Sequence, residues 1–100
     1  MPIRTLSILI PCYNEGNLIE QILQKIIETD CGLNKEIIIV NDGSTDNTAR
    51  IIENFIHLNP GNNVHQIRHE NNKGKGACIQ TAIKAATGEV VIIQDGDLEY

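Results

Sequence analysis

The sequence predicts an α/β fold of order βαβαβαβ, in which a mainly parallel sheet lies between layers of helices as a three-layer sandwich. Four apolar runs alternate with three segments of helical periodicity, and each segment is long enough to cross from one parallel strand to the next. Two of the runs are continuous and β-branched, which is typical of strands covered on both faces. One hundred residues suit one small domain, and we expect residues 1–100 to form it without a linker.

The four apolar runs differ in strength. They read TLSILI, EIIIV, VHQI and EVVII, at residues 5–10, 36–40, 64–67 and 89–93. Because the third run is the weakest, we expect it to form an edge strand, whereas the second and the fourth should be buried.

Three helices are predicted between the strands by apolar residues that recur every three or four positions. The stripes are Leu18, Ile19, Ile22, Leu23, Ile26 and Ile27, then Ile51, Ile52, Phe55 and Ile56, then Ile79, Ala82, Ile83 and Ala86. Each stripe would pack one face of a helix against the sheet, and right-handed crossovers would keep the strands parallel.

Composition argues against several classes of protein. A net charge of −5 without any basic run disfavours electrostatic binding to nucleic acid or to anionic lipid, and 3% aromatic residues disfavour a base-stacking surface. The three cysteines form no CxxC pair, which predicts reduced thiols in a cytosolic protein and disfavours a structural zinc site. The first apolar run is too short for a signal peptide or a membrane span.

Each predicted strand leads into a polar loop. The loops read PCYNEGN, NDGSTDNT, HENNKGKG and QDGDLEY, at residues 11–17, 41–48, 69–76 and 94–100. The carboxyl ends of parallel strands share one edge of the sheet, and in open α/β sheets that edge holds the ligand. We therefore expect all four loops to converge on one cleft.

The last loop carries a pair of carboxylates, Asp95 and Asp97, on either side of Gly96. Carboxylates this close repel unless a cation or a proton intervenes, and a hard divalent ion bound also by phosphate oxygens would relieve the repulsion. Gly96 would let a ligand approach the backbone closely. The alternative is a solvated turn, since D-G is a common turn dipeptide.

Asp42 follows the second strand directly, where its carboxylate would accept hydrogen bonds from a nucleobase or a ribose hydroxyl. The alternative is a capping role at the start of the next helix, a role that Ser44 or Asp46 would otherwise take. An EF-hand reading of the same loop is weak, because Asn47 occupies the glycine position and a strand rather than a helix precedes the loop.

Several other polar residues of the loops have less specific interpretations. Lys73 and Lys75 would either face a diphosphate or lie on the solvated surface. The three histidines form no triad with Cys12, so we interpret them as ordinary surface or edge residues and Cys12 as unreactive.

Taken together, the stretches SILIPCYNEGNLIEQIL, EIIIVNDGSTDNTARII and NKGKGACIQTAIKAATGEVVIIQDGDLEY resemble the N-terminal half of a family 2 glycosyltransferase with the GT-A fold. The resemblance covers nearly the whole chain, and QDGDLEY is most similar to the polyprenyl-phosphate branch, which includes dolichyl-phosphate mannose synthases. It implies a Rossmann-like nucleotide-binding half of that fold, at residues 1–100.

The resemblance also implies roles for individual residues. The nucleotide would be bound by Pro11, Tyr13, Glu15, Val40, Asp42, Asp95 and Gly96. Asp95, Asp97 and Glu99 would hold Mg²⁺ or Mn²⁺ against the diphosphate of a UDP- or GDP-linked sugar, which would be transferred with inversion. The acceptor implied is a polyprenyl phosphate at the membrane, which predicts a cytoplasmic enzyme, peripheral at the inner membrane face.

Members of that family continue well beyond the acidic motif, so the resemblance places the acceptor contacts and any catalytic base beyond Tyr100. We therefore expect a donor-binding part of a longer enzyme that is inactive alone and that self-associates through an uncovered sheet edge. Two alternatives stay open, a non-catalytic α/β interaction module and a nucleotidyltransferase, although the first loop lacks the arginine that the latter class would need.

Overall fold

The computed structural model describes residues 4–94, and seven elements alternate in it in the predicted order. The strands are β1 (Thr5–Cys12), β2 (Asn34–Asp42), β3 (Asn63–His69) and β4 (Val90–Ile93), and the helices are α1 (Ile19–Glu28), α2 (Thr48–Leu58) and α3 (Lys75–Ala85). All three predicted helical stripes fall on these helices or their first flanking residue. The predicted α/β fold is therefore confirmed.

The four strands form one parallel sheet in the order β3-β2-β1-β4. Alternate residues of the central strand β1 point to opposite faces, as strand geometry requires. On one face they join a cluster with α1 and α2, and on the other Leu9 packs with Cys78 and Ala82 of α3. The helices thus cover both faces, which makes the three predicted layers.

The two edge strands of the sheet are β3, which we predicted to be an edge strand, and β4, which we predicted to be buried. β3 lies at one edge, as its weak apolar run predicted. The expectation that the fourth run is buried is wrong for the described residues, because each side chain of Val90–Ile93 is 42–49% exposed. Within residues 4–94 only β1 pairs with β4, so one side of this strand has no neighbour.

An apolar groove of about 340 Å³ runs between β4 and α1. Its lining includes Leu6, Ile8, Ile22, Ile26 and Ile92. None of the described helices is both long enough and apolar enough to cross a membrane.

Candidate functional site

Three of the four predicted loops come together at the carboxyl edge of the sheet. β1, β2 and β3 end there at Cys12, Asp42 and His69, and hydrogen bonds connect the loops that follow them. The fourth loop begins beside β1, where the Gln94 N–H donates to the Leu9 carbonyl over 2.8 Å. Asp95, Gly96, Asp97 and Glu99 lie outside the described residues, so their roles stay predictions.

Asp42 is the centre of this edge. Its side chain is almost fully buried, yet the carboxylate accepts hydrogen bonds from the Lys73 N–H over 2.9 Å and from the Gly74 N–H over 2.8 Å. Its Oδ1 also lies 2.8 Å from Nδ1 of His69. The carboxylate therefore fixes the loop between β3 and α3 to the end of β2.

The environment keeps Asp42 ionised. Burial by itself raises the pKa of its carboxyl group, but the hydrogen bonds from His69, Lys73 and Gly74 stabilise the charged form more strongly, so the pKa lies below its ordinary value. The buried, negatively charged carboxylate of Asp42 thus lies beneath the loop between β3 and α3 and accepts hydrogen bonds from its backbone N–H groups.

His69 lies in the edge strand β3, as one part of its interpretation predicted, but it is not a surface residue. Its side chain is 9% exposed, and its Nε2 lies 2.9 Å from Oγ1 of Thr81 while its other nitrogen faces Asp42. The imidazole therefore connects the ends of β2 and β3 to helix α3. The sequence contained no signal for this role, because Asp42 and His69 are 27 positions apart.

Asn14 joins the first loop to the second, a role that the sequence analysis missed. Its Oδ1 accepts hydrogen bonds from the N–H groups of Thr45, over 2.8 Å, and Asp46, over 3.3 Å, while its own N–H donates to Ser44 Oγ over 2.9 Å. The backbone of Asn14 has a φ of 52°, a left-handed conformation that asparagine adopts more readily than most residues. That preference was the available signal.

Asp46 rather than Ser44 accepts a backbone N–H at the start of α2, although the N-cap residue itself is Asn47, whose side chain makes no capping hydrogen bond. Helix α2 begins at Thr48, whose N–H donates to Asp46 Oδ1 over 2.9 Å, while the other carboxylate oxygen accepts from the Gly16 N–H. The same contacts contradict the EF-hand reading, because the oxygens of Asp42 and Asp46 are directed at N–H donors of this chain.

The remaining predicted nucleotide-binding residues that the structure describes lie around this edge with different exposure. Pro11 and Val40 are register partners in adjacent strands and both are buried, so the Val40 side chain faces the core. Tyr13 is 43% exposed and Glu15 is half-buried in the loop between β1 and α1. Tyr13 and Glu15 are thus accessible in the loop after β1, whereas Pro11 and Val40 are buried in the strands.

A polar depression of about 300 Å³ opens at the ends of β2 and β3. Its lining comprises Asn41, Gly43, Ser44, Arg68, His69 and Glu70. Lys73 and Lys75 are both exposed, which fits either of their two interpretations.

The two buried cysteines are neutral thiols. Burial, with a smaller contribution from neighbouring charges, raises the pKa of Cys12 to about 12 and that of Cys78 to about 11. Neither is a nucleophile at neutral pH, as predicted for Cys12. Ligand-type atoms of Asp42, His69 and Cys78 lie within 4.8 Å of one another, but hydrogen bonds occupy the carboxylate, and we interpret this group as a polar network.

Comparison with known proteins decides the family. The sequence profile described as "Glycosyl transferase family 2" matches residues 7–100. The chain belongs to glycosyl transferase family 2. The alternative of a nucleotidyltransferase is thereby set aside.

Curated relatives of this family 2 chain include a dolichyl-phosphate and an undecaprenyl-phosphate transferase and a polysaccharide synthase. It is 30% identical over 99 residues to the dolichyl-phosphate beta-glucosyltransferase of Dictyostelium discoideum, which covers 92% of the chain and 30% of the relative. It is 34% identical over 99 residues to the undecaprenyl-phosphate 4-deoxy-4-formamido-L-arabinose transferase of Proteus mirabilis. This match covers 97% of the chain and 30% of the relative. It is 37% identical over 92 residues to the poly-beta-1,6-N-acetyl-D-glucosamine synthase of Staphylococcus epidermidis. This match covers 92% of the chain and 21% of the relative.

Solved structures agree with this family 2 fold. The mannosyltransferase PcManGT from Pyrobaculum calidifontis, in complex with GDP-Man and Mn²⁺, matches 94% of the chain with a TM-score of 0.86 and 33% identity, over 27% of its own length. S. aureus TarS 1-349 in complex with UDP matches 93% with a TM-score of 0.82 and 29% identity, also over 27% of its length. The chain therefore spans less than a third of the length of each of these five relatives and structures.

In this family 2 chain we expect Asp42→Ala to weaken nucleotide binding more than Asp46→Ala, by about tenfold, because it removes the buried carboxylate that holds the loop between β3 and α3 to the end of β2. Asp46 lies two residues before helix α2 rather than in its first turn, and its carboxylate serves the helix end. Calorimetric titration of GDP and UDP into both variants, each shown to be folded by circular dichroism, measures the difference. Equal affinities would remove Asp42 from the nucleotide site.

Proposed function

We propose that the chain binds a nucleotide-diphospho-sugar together with Mg²⁺ or Mn²⁺, as the donor-binding part of an inverting glycosyltransferase whose acceptor is a polyprenyl phosphate. The observation that carries this proposal is the match over 94% of the chain to a mannosyltransferase in complex with GDP-Man and Mn²⁺. The convergence of the polar loops on the carboxyl edge of the sheet supports it, because that edge holds ligands in open α/β sheets.

The nucleotide is proposed to lie across the ends of β1 and β2. The exposed ring of Tyr13 offers a flat face to a base, and the half-buried Glu15 lies on the same loop. Pro11 and Val40 would form the floor, and Asp42 would stabilise the base and ribose through the loops that it holds in place. Asp95 and Gly96 would complete the site on the side of the ribose and the diphosphate.

The donor set proposed for the metal consists of Asp95, Asp97 and Glu99. Their chemistry fits a hard divalent cation, because carboxylate oxygens are the preferred ligands of Mg²⁺ and Mn²⁺ and leave positions for phosphate oxygens. The described structure is consistent with this, since Gln94 leads the chain out of β4 at the same edge as Asp42. When bound, the cation would neutralise charge on the departing diphosphate.

In the proposed transfer, an oxygen of the acceptor phosphate bonds to the anomeric carbon of the sugar as the bond from that carbon to the diphosphate breaks. Attack from the side opposite the diphosphate inverts the configuration. The residues of this chain bind and orient the donor, and we propose that any catalytic base lies beyond Tyr100. Transfer to a polyprenyl phosphate would take place at the cytoplasmic face of a membrane.

A second acceptor is a growing polysaccharide, because the chain is also 37% identical over 92 residues to a poly-beta-1,6-N-acetyl-D-glucosamine synthase. We favour the polyprenyl phosphate, since relatives that use dolichyl or undecaprenyl phosphate match as much of the chain or more. The non-catalytic module remains the alternative if no nucleotide binds.

Nucleotide titration with and without metal tests the proposal. We expect GDP or UDP to bind at least about fivefold more tightly in the presence of Mn²⁺ or Mg²⁺, since the metal and the diphosphate each complete the other's coordination. AMP, which lacks a diphosphate, serves as the control and should gain nothing from the metal. Binding of neither GDP nor UDP at millimolar concentration would contradict the proposal and favour the non-catalytic module.

A further inference from the structure

A buried carboxylate lies at the opposite edge of the sheet from the candidate site. Glu36, near the start of β2, is 7% exposed. Its Oε1 accepts hydrogen bonds from Ser7 Oγ over 2.7 Å and from the Thr87 N–H over 2.9 Å, and its Oε2 accepts from Thr87 Oγ1 over 2.8 Å. Burial alone would raise the pKa of Glu36, but these hydrogen bonds outweigh it and lower the pKa below its ordinary value.

The partners of Glu36 fix the turn between α3 and β4. Thr87 follows the helix, and the next residue, Gly88, donates its N–H to Ser7 Oγ over 2.9 Å. A Cβ atom on Gly88 would lie 2.4 Å from Ser7 Oγ and 2.8 Å from both Ser7 N and the Thr5 carbonyl oxygen. The turn is therefore seated against β1 so closely that only glycine fits.

Strand β4 has few other constraints among the described residues. It has four residues, pairs only with β1, and exposes 42–49% of each side chain. Side-chain packing therefore contributes little to its register, and a shift of one residue would turn every side chain to the other face. The turn held by Glu36 sets where the strand begins.

We propose that Glu36 is a positioning residue that fixes the register of β4 and thereby the point at which Gln94, the residue directly before Asp95, leaves the sheet at its carboxyl edge. Thr87 and Gln94 are separated by about 23 Å of extended chain, so the effect is transmitted along the strand. This inference rests on the proposed function, because it takes Asp95 and Asp97 to be metal ligands.

The test compares Glu36→Gln and Glu36→Ala with Glu89→Gln as a matched control. Glu89 lies in the same turn, but it forms an exposed ion pair with Arg4 over 3.1 Å, which contributes little to stability. Glu36→Gln keeps the volume of the side chain and one oxygen acceptor, so at least one variant should remain folded. Two quantities are measured for each protein: amide hydrogen exchange, and GDP or UDP affinity with and without Mn²⁺.

For Glu36→Ala we expect exchange at the Glu89 and Gln94 amides, which pair with β1, to rise at least about tenfold while exchange in β2 stays unchanged. The gain in nucleotide affinity from Mn²⁺ should fall about fivefold, while metal-free affinity changes less than about twofold. Glu36→Gln should show the same pattern in weaker form, and Glu89→Gln should resemble the unmodified protein.

Three outcomes would overturn the inference. Exchange that rises equally in all strands would reduce Glu36 to a general stabilising residue, and unchanged exchange at β4 would show that the carboxylate does not hold the strand. Faster amide exchange at β4 with an unchanged Mn²⁺ gain in nucleotide affinity would show that the register of β4 does not affect the metal site. If the unmodified protein shows no Mn²⁺ gain, the proposed function fails first, and that result is visible before any variant is made.

Discussion

The Asp97→Asn variant is expected to lose the gain in nucleotide affinity, of about fivefold or more, that Mn²⁺ provides. Asparagine keeps the size of the side chain and one oxygen but removes the negative charge that a hard divalent cation requires. Metal-free nucleotide affinity should stay close to that of the unmodified protein, since the contacts around Asp42 are untouched. Calorimetric titration with and without Mn²⁺ measures the metal-free nucleotide affinity and the gain from the metal separately.

The Asp30→Asn variant is the control for Asp97→Asn, because it removes one negative charge elsewhere in the protein. Asp30 is exposed, and its carboxylate accepts a hydrogen bond from the Gly32 N–H in the turn after α1, away from the carboxyl edge. This variant should bind nucleotide and metal as the unmodified protein does. An Asp97→Asn variant that retained the full Mn²⁺ gain would remove Asp97 from the proposed ligands.

The Gly43→Ala variant is expected to lower the free energy of unfolding by about 3 kcal/mol, the largest stability effect that we predict for a single substitution. Gly43 has a φ of +74°, and an added Cβ would lie 2.7 Å from the Asn71 carbonyl carbon and from the Asn72 nitrogen. Both the strained backbone and the steric conflict oppose alanine. Because Gly43 follows Asp42 directly, nucleotide affinity should fall as well.

Alanine variants of two other glycines distinguish the cost of backbone strain from the cost of the steric conflict. Gly74 also has a positive φ, of +97°, but a Cβ there would meet no atom within 4 Å, so Gly74→Ala should cost only about 1 kcal/mol. Gly61 has neither feature, and Gly61→Ala should be within about 0.5 kcal/mol of neutral. Urea unfolding of the three variants gives the comparison. Equal costs at Gly43 and Gly74 would mean that the loop of Asn71 moves aside without penalty.

Periodicity predicted the number, type and order of the elements, because each apolar run or stripe reports the local geometry that buries it. The same signal could not predict the exposure of β4. A continuous apolar run shows that both faces of a strand are suited to burial, but it does not show what covers them. Val90–Ile93 therefore looked like a buried strand, although in the described part of the chain it is a half-exposed edge.

The convergence of the loops was predictable because parallel strands end at one edge. The contacts within the edge were not, because they join residues far apart in the sequence. Asn14 and Thr45 are 31 positions apart, and Thr87 and Glu36 are 51 positions apart. Propensity describes each of these residues alone, whereas their roles depend on a partner that only the folded chain brings close.

The strand order also determines the sequence in which the molecule can assemble as it leaves the ribosome. Of the four described strands, β1 is synthesised first but is central, and its second neighbour, β4, emerges last, with contacts such as Ser7 to Gly88 spanning 81 positions. β1, β2 and β3, with the helices that follow them, can pair and enclose Asp42 before β4 is made. The contacts around Asp42 can therefore form earlier than the pairing of β4 with β1. Until β4 arrives, one edge of the central strand stays unpaired, and the nascent chain is most exposed to misassociation during that interval.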